Sequence, residues 1–278
     1  TTTITASQAG DANYNAATDV SQVQIVNNAS LIAQTITFNS LPNATYGDAP
    51  ITLTATGGGS GNPVTYISSN TSVATISGNT LTVLAPGTTT VTASQAGNAT
   101  YSAAADVAQN QVVIVKDLTV NGAIANNKPY DGNTNATLDL SAANLVGTVG
   151  LDVVTFTGTG TFASANVGTA ISVSSTITLG GADAFKYSVT NPTLSADITQ
   201  ANQTITFAAL AGKTIGDPTY TISATATSNL PVTFSSSNPS VADISGNTIT
   251  IFSAGTTTIA ASQAGDANYA AAPNVARV

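Results

Sequence analysis

The chain has 278 residues and a formal net charge of -8, from 13 acidic residues, all aspartate, against five lysines and arginines; it has no cysteine, histidine, methionine, tryptophan or glutamate. Those absences remove disulfides, thiol and histidine nucleophiles and thiolate or imidazole metal sites, and the acidic balance excludes nucleic acid, which is bound through clustered Lys and Arg. With 6% charged and 42% hydrophobic residues, against roughly 25% charged in an average globular protein, and with 48 threonines, the composition is that of a folded, strand-forming chain.

The first residues, TTTITASQAGDANY at Thr1–Tyr14, recur as TTTVTASQAGNATY at Thr88–Tyr101 and TTTIAASQAGDANY at Thr256–Tyr269. A catalytic motif is needed once, whereas a structural module repeats. Thr1 aligns with Thr88, deep inside a module, so residues 1–33 are expected to be the C-terminal part of an incomplete module, paired but with open edges.

Residues 34–115 read as one complete module. In VATISGNTLTVLAPGTTTVTAS the apolar Val73, Ile76, Leu81, Val83, Val91 and Ala93 alternate with threonines and serines, the period of strands with one buried face. Gly78-Asn79 supplies a hairpin and Ala85-Pro86-Gly87 the next turn. Some seven short strands with turn signals every 8 to 12 residues give an all-β fold of tandem immunoglobulin-like Greek-key β-sandwiches. Tyr101 is expected to bury its ring at the sandwich end.

Residues 116–200 align with neither copy and form a distinct β-sandwich module. Residues 201–278 repeat the earlier one: QTITF at Gln203 matches Gln34 at an offset of 169, and SSNPSVADISGNT at Ser236 matches Ser68 at 168. The residue lost between Asp48 and Val64 marks a length-tolerant loop near Gly57–Gly61. Val278 aligns with Asn110, so the final strand is expected to be truncated and the whole to be a window on a longer array.

Candidate chemistry is sparse. Asp48 and Asp217 recur beside Gly47 and Gly216 and read as turn residues rather than a glycosidase pair. TGGGSGNP lacks the Gly-Lys-Ser/Thr of a phosphate loop and reads as a flexible hairpin, and the short threonine runs read as solvated strand faces rather than an ice-binding ladder. Asp131, Asn133, Asn135 and Asp139 in YDGNTNATLD offer oxygen at alternate positions, the best calcium candidates, against which a hydrogen-bonded turn with Tyr130 packed inward is the simpler reading. Neither a metal nor another cofactor is expected. Lys128 and Lys186 are the candidates for an isopeptide crosslink, and Asn28, Asn43, Asn70, Asn98, Asn135 and Asn202 lie in glycosylation sequons.

QTITF, TYGDAPITLTAT, SSNTSVATISGNTLTV, GTTTVTASQAGNATYSAA and QVVIV together resemble the bacterial immunoglobulin-like repeats, MBG or Big-type, of large surface adhesins. KPYDGNTNATLDL, TFTGTGTFASANVGTAISV and DAFKYSVTNPTLSADIT resemble the YDG-type repeat of the same proteins. The resemblance implies a non-enzymatic stalk or spacer at the bacterial cell surface, holding a distal binding region away from the cell, with neighbouring modules of the same longer chain as its partners. The alternatives are modules that bind glycan or a partner surface through loops such as Thr56–Pro63, and accessory domains of a polysaccharide-degrading enzyme. No apolar run approaches the roughly 20 residues that span a bilayer, so no membrane insertion is expected of this segment. The joints QVVIVKDLTV and ADITQANQTITF lack Gly/Ser-rich stretches, which implies an elongated, semi-rigid row with bending concentrated near Asn28.

Overall fold

Strands form where threonine or serine alternates with valine, isoleucine or alanine, because a β-branched residue suits the pleat and every second side chain reaches one face. The computed structural model of the chain describes residues 1–26 and 30–278. Apart from one 3-10 turn at Ala184–Lys186, every regular element among them is a strand. Contacts divide the chain into two units, Thr1–Val115 and Lys116–Val278. Asn28 lies outside the described residues, and with it the expected bending point and one sequon.

In the first unit, Thr2–Ala6 and Val20–Gln24 pair antiparallel from Thr2↔Gln24 to Ala6↔Val20, and every residue of both is exposed. Ile4, Val20 and Val23 are each more than 60% exposed. From Gln34 onward two layers close. Gly87–Gln95 buries Thr89, Val91, Ala93 and Gln95 in strict alternation and pairs with Val107–Ile114 on one side and Val64–Ser68 on the other, while Ala44–Thr45 joins Val113 and Ile114 in parallel. The opposing layer holds Ala74–Ser77 and Thr80–Val83 with Ile51–Thr52, beside the pair Thr37–Phe38 and Ala55–Thr56. Ser77 pairs with Thr80 around Gly78, whose φ of +61° at the first central position is what a two-residue II′ turn requires. Ile36, Phe38, Leu53, Ala74, Leu81, Val91, Ala93 and Ala104 fill the space between the layers.

In the second unit, residues 201–278 rebuild that pattern. Their core of Ile205, Phe207, Ile222, Ala242, Ile249, Ile259, Ala261 and Ala272 matches the earlier one position by position, and Phe207 tilts on Phe234 at 5.4 Å as Phe38 tilts on Tyr66 at 5.6 Å. Residues 116–199 form a different sandwich. Its large sheet centres on the strand Gly168–Gly180, between Thr155–Phe162 and Thr193–Thr199, and its other layer centres on Lys116–Asn121. Gly158 and Gly160 of TFTGTGTF leave room for Ile177 and Leu138, whose methyl carbons would each lie 2.8 Å from an added Cβ.

Two expectations from sequence need correction. TGGGSGNP is not a flexible hairpin: it crosses from Ala55–Thr56 to Val64–Ser68, strands of different sheets, and is hydrogen-bonded to side chains along its length. The middle threonine of the TTT run is buried at Thr89 and only part-exposed at Thr257. Thr89, 1% exposed, accepts the Asn70 N–H at 2.9 Å and shares a hydrogen bond with Ser68 at 2.7 Å; Thr257 does the same with Asn238 and Ser236 at 3.0 and 2.8 Å. The Thr-Thr-Thr and Ser-Ser-Asn motifs thus fasten to each other between neighbouring strands of one sheet.

Candidate functional site

The SQAG-(Asp/Asn)-Ala-(Asn/Thr)-Tyr motif is one turn built three times. The side-chain oxygen of Asp11, Asn98 or Asp266 accepts the N–H groups two and three residues on at 2.8–2.9 Å, and its own N–H donates to the tyrosine carbonyl at 2.9 Å. An Asx residue suits the position because its side-chain oxygen reaches both N–H groups, a contact that a serine or threonine hydroxyl makes more weakly. The preceding residue must be glycine: a Cβ on Gly10, Gly97 or Gly265 would stand 2.3–2.4 Å from the tyrosine oxygen.

This turn receives the strand that enters the module. Ile32 forms a parallel bridge with Tyr101, through Ile32 N–H to Thr100 O at 2.9 Å and Ser102 N–H to Ile32 O at 3.0 Å. Ala201 meets Tyr269 in the same way, through Asn268 O and the Ala270 N–H, at 2.9 and 3.0 Å. Two buried glutamines fasten the turn from inside. Gln95, 3% exposed, accepts from Gly58 N–H and donates to Asn62 O, both at 2.7 Å; Gln34 accepts from Ser60 N–H at 2.8 Å and donates to Ala96 O at 3.2 Å. In the last copy Gln203 donates to Gln263 and to Ala270 O and accepts from Ser228. Buried amides of this kind persist because every arm finds a partner. Gln8, their counterpart in the first copy, is exposed.

Within the second unit the same turn carries a joint between modules. The Tyr130 and Tyr269 rings meet edge to face at 5.3 Å and 79°, a favoured aromatic geometry. Asn268 accepts the Val167 N–H at 3.1 Å and donates to Asn166 Oδ1 at 3.3 Å, and Gln200 Nε2 donates to Asp266 O at 2.8 Å. In the complete first-unit copy the tyrosine ring instead lies on its own loop, where a Cβ on Gly59 would be 2.5 Å from Tyr101 Cζ. The last copy has Ser228 at that position. Sequence reasoning placed Tyr130 inward and missed its partner Tyr269.

The calcium candidates are arranged around a lysine. Lys128 Nζ donates to Asp131 Oδ1 at 2.7 Å, Asn133 O at 2.8 Å and Asn133 Oδ1 at 2.9 Å, taking the place a cation would occupy. Asn133 Oδ1 also accepts the Asn135 N–H at 2.9 Å. Asp139 stands apart in the Leu138–Asp139 strand, its carboxylate on the Ser141 N–H at 2.9 Å. The Lys128 hydrogen bond and the Asn133 N–H hold the Asp131 carboxyl below its ordinary range, and the Ser141 N–H and hydroxyl do so for Asp139. Among the described residues, no group of three or more His, Cys, Asp or Glu comes together.

Lys186, the other crosslink candidate, pairs with Asp183 at 2.8 Å and Asp152 at 3.0 Å, and the Tyr187 hydroxyl donates to the second oxygen of Asp152 at 2.6 Å. Its hydrogen bond, and then that of the Val153 N–H, lowers the Asp183 pKa. Asp48 and Asp217 cap turns, each accepting an N–H three residues back, from Thr45 and Thr214. No helix of the described residues is long and apolar enough to cross a membrane.

Residues 116–196 match the model of the YDG domain. No curated protein matches the chain. Among solved structures, Drosophila N-cadherin EC1-4 aligns at 11% identity and a TM-score of 0.32, covering 91% of this chain and 74% of that one. Mouse cadherin-23 EC22-24 aligns at 12% identity and 0.30, covering 88% and 99%. Likeness at those TM-scores carries no argument, and the all-β sandwich fold rests on the strand pairing and cores described above.

Proposed function

We propose that the chain is a structural segment of an extracellular bacterial adhesin or surface filament, a stalk of immunoglobulin-like and YDG-type modules without enzymatic activity. The observation that carries this reading is the repeated entry joint: Ile32 and Ala201, arriving at different copies, are hydrogen-bonded into the same Gly-Asx-Ala-X-Tyr turn. A device that fixes each incoming strand to the far end of its module suits a chain that transmits load and direction from one module to the next. The YDG match and the resemblance of the flanking copies to adhesin repeats support the same reading. Its partners are neighbouring modules, and its place is the cell surface.

The local chemistry also favours a spacer over a binding module. The backbone of the Gly57–Pro63 loop is engaged by Gln34 and Gln95, and Asn62 donates to Ala96 O and Gly97 O at 3.1 and 2.8 Å, so these groups serve the module's own closure. Phe38 and Phe207 are 4% and 3% exposed, which removes them as stacking platforms for a sugar. A glycan array probed with the whole chain tests the assignment. The expected outcome is binding at background level; saturable binding abolished by alanine substitutions at Ser60 and Asn62 would replace the stalk with a lectin-like function.

A further inference from the structure

The three copies of the turn are not equal in what they offer a neighbour. In the last copy the groups that meet the YDG-type module are the Asp266 carbonyl, the Asn268 carboxamide and the Tyr269 ring. The carboxamide accepts from the Val167 N–H with its oxygen and donates to Asn166 from its nitrogen, two separate atoms at the end of the side chain, a span that the single hydroxyl oxygen of a threonine on a shorter stem does not cover. The complete first-unit copy reads Asn-Ala-Thr-Tyr, with Thr100 at that position and its tyrosine folded over Gly59.

The first copy reads Asp-Ala-Asn-Tyr, as the last one does. Residues 1–14 and 256–269 differ at one position, Thr5 against Ala260. The Asp11 turn has the same hydrogen bonds as the Asp266 turn, and Tyr14 is 76% exposed. We propose that the turn Asp11–Tyr14 is a docking surface for a YDG-type module, seating that module's Tyr130-type ring on Tyr14 and its Asn166–Val167-type loop on Asn13. The residue two after the Asx position therefore encodes neighbour type: Asn for a YDG-type module, Thr otherwise. This holds whether or not the chain serves as a stalk.

The test exchanges tails in the full chain. In one version residues 256–278 are replaced by residues 1–23, in the other by residues 88–110, both of equal length. The readouts are the nuclear Overhauser contact between the Tyr130 ring and the tyrosine at position 269, and hydrogen-exchange protection of the Val167 amide. The first exchange keeps the ring contact and leaves protection within about threefold of the parent, whereas the second loses the contact and about tenfold in protection, the scale of a hydrogen-bonded contact. Should either tail prevent the last module from folding, a milder pair decides: Ala260→Thr, which makes residues 256–269 identical to 1–14, against Asp266→Asn with Asn268→Thr. Loss of the contact with the head sequence, or equal docking by both sequences, overturns the proposal.

Discussion

Replacing Gln95 by alanine isolates the device that closes each complete module. The side chain is 3% exposed and holds the crossover loop from both arms, so its removal leaves the Gly58 N–H and Asn62 carbonyl without their partners and opens a small cavity. Two lost hydrogen bonds, with unsatisfied buried groups left behind, cost about 2–4 kcal/mol. For a module of this size each kcal/mol is worth roughly 4–8 °C in melting temperature, so that module should melt roughly 10–30 °C lower. Gln8→Ala supplies the control: it removes the same residue from the same SQAG motif where the side chain is exposed, and should cost less than about 0.5 kcal/mol. A chain of several modules has no single midpoint, so the measurement is thermal loss of the Val91 and Ala93 amide resonances, both in that module's core. Equal effects of Gln95→Ala and Gln8→Ala would refute the claim that these glutamines clamp the turn to the sandwich.

Thr89→Val keeps the shape of a buried residue but removes the acceptor for Asn70 N–H, and should destabilise its module by about 1–2 kcal/mol in urea unfolding, whereas Thr2→Val should be neutral. Asp131, Asp139 and Asp183 have pKa values lowered by folding, so their contribution is present above the unfolded carboxylate range and lost as pH falls through the folded values. With no histidine in the chain, melting midpoints should be flat from about pH 5 to 8 and fall only below about pH 4; a transition near pH 6 to 7 contradicts this assignment. Melts in calcium and in chelator should superimpose, because the Lys128 ammonium occupies the oxygen cluster; a midpoint shift of several degrees would make Asp131 and Asn133 ligands after all.

The strands, the Gly78-Asn79 hairpin and the core positions Leu81, Val91 and Ala93 were legible in sequence because period-two alternation and glycine at a II′ turn are local signals. The polar fastenings were not. Thr89 and Gln95 look like their solvated neighbours Thr88 and Ala96, and only the partner strand or loop, tens of residues away, makes them buried. The surroundings of the calcium candidates were hidden for a similar reason: alternate oxygens in YDGNTNATLD are visible in sequence, but that Lys128, from the preceding strand, turns into their midst is a property of the fold. The Tyr130 and Tyr269 contact joins residues of two modules, and no periodicity within either could reveal it.

The joint of the second unit is held by direct contacts between its two modules, through the Tyr130 and Tyr269 rings and the hydrogen bonds of Asn268 to Asn166 and Val167, rather than by a flexible linker. Residual dipolar couplings measured on the whole chain test this most directly. The amides of residues 116–199 and 201–278 should fit one common alignment tensor, and should need two of different magnitude when Tyr269→Ala and Asn268→Ala loosen the joint. Two different tensors in the unsubstituted chain contradict a held joint, and with it the stalk.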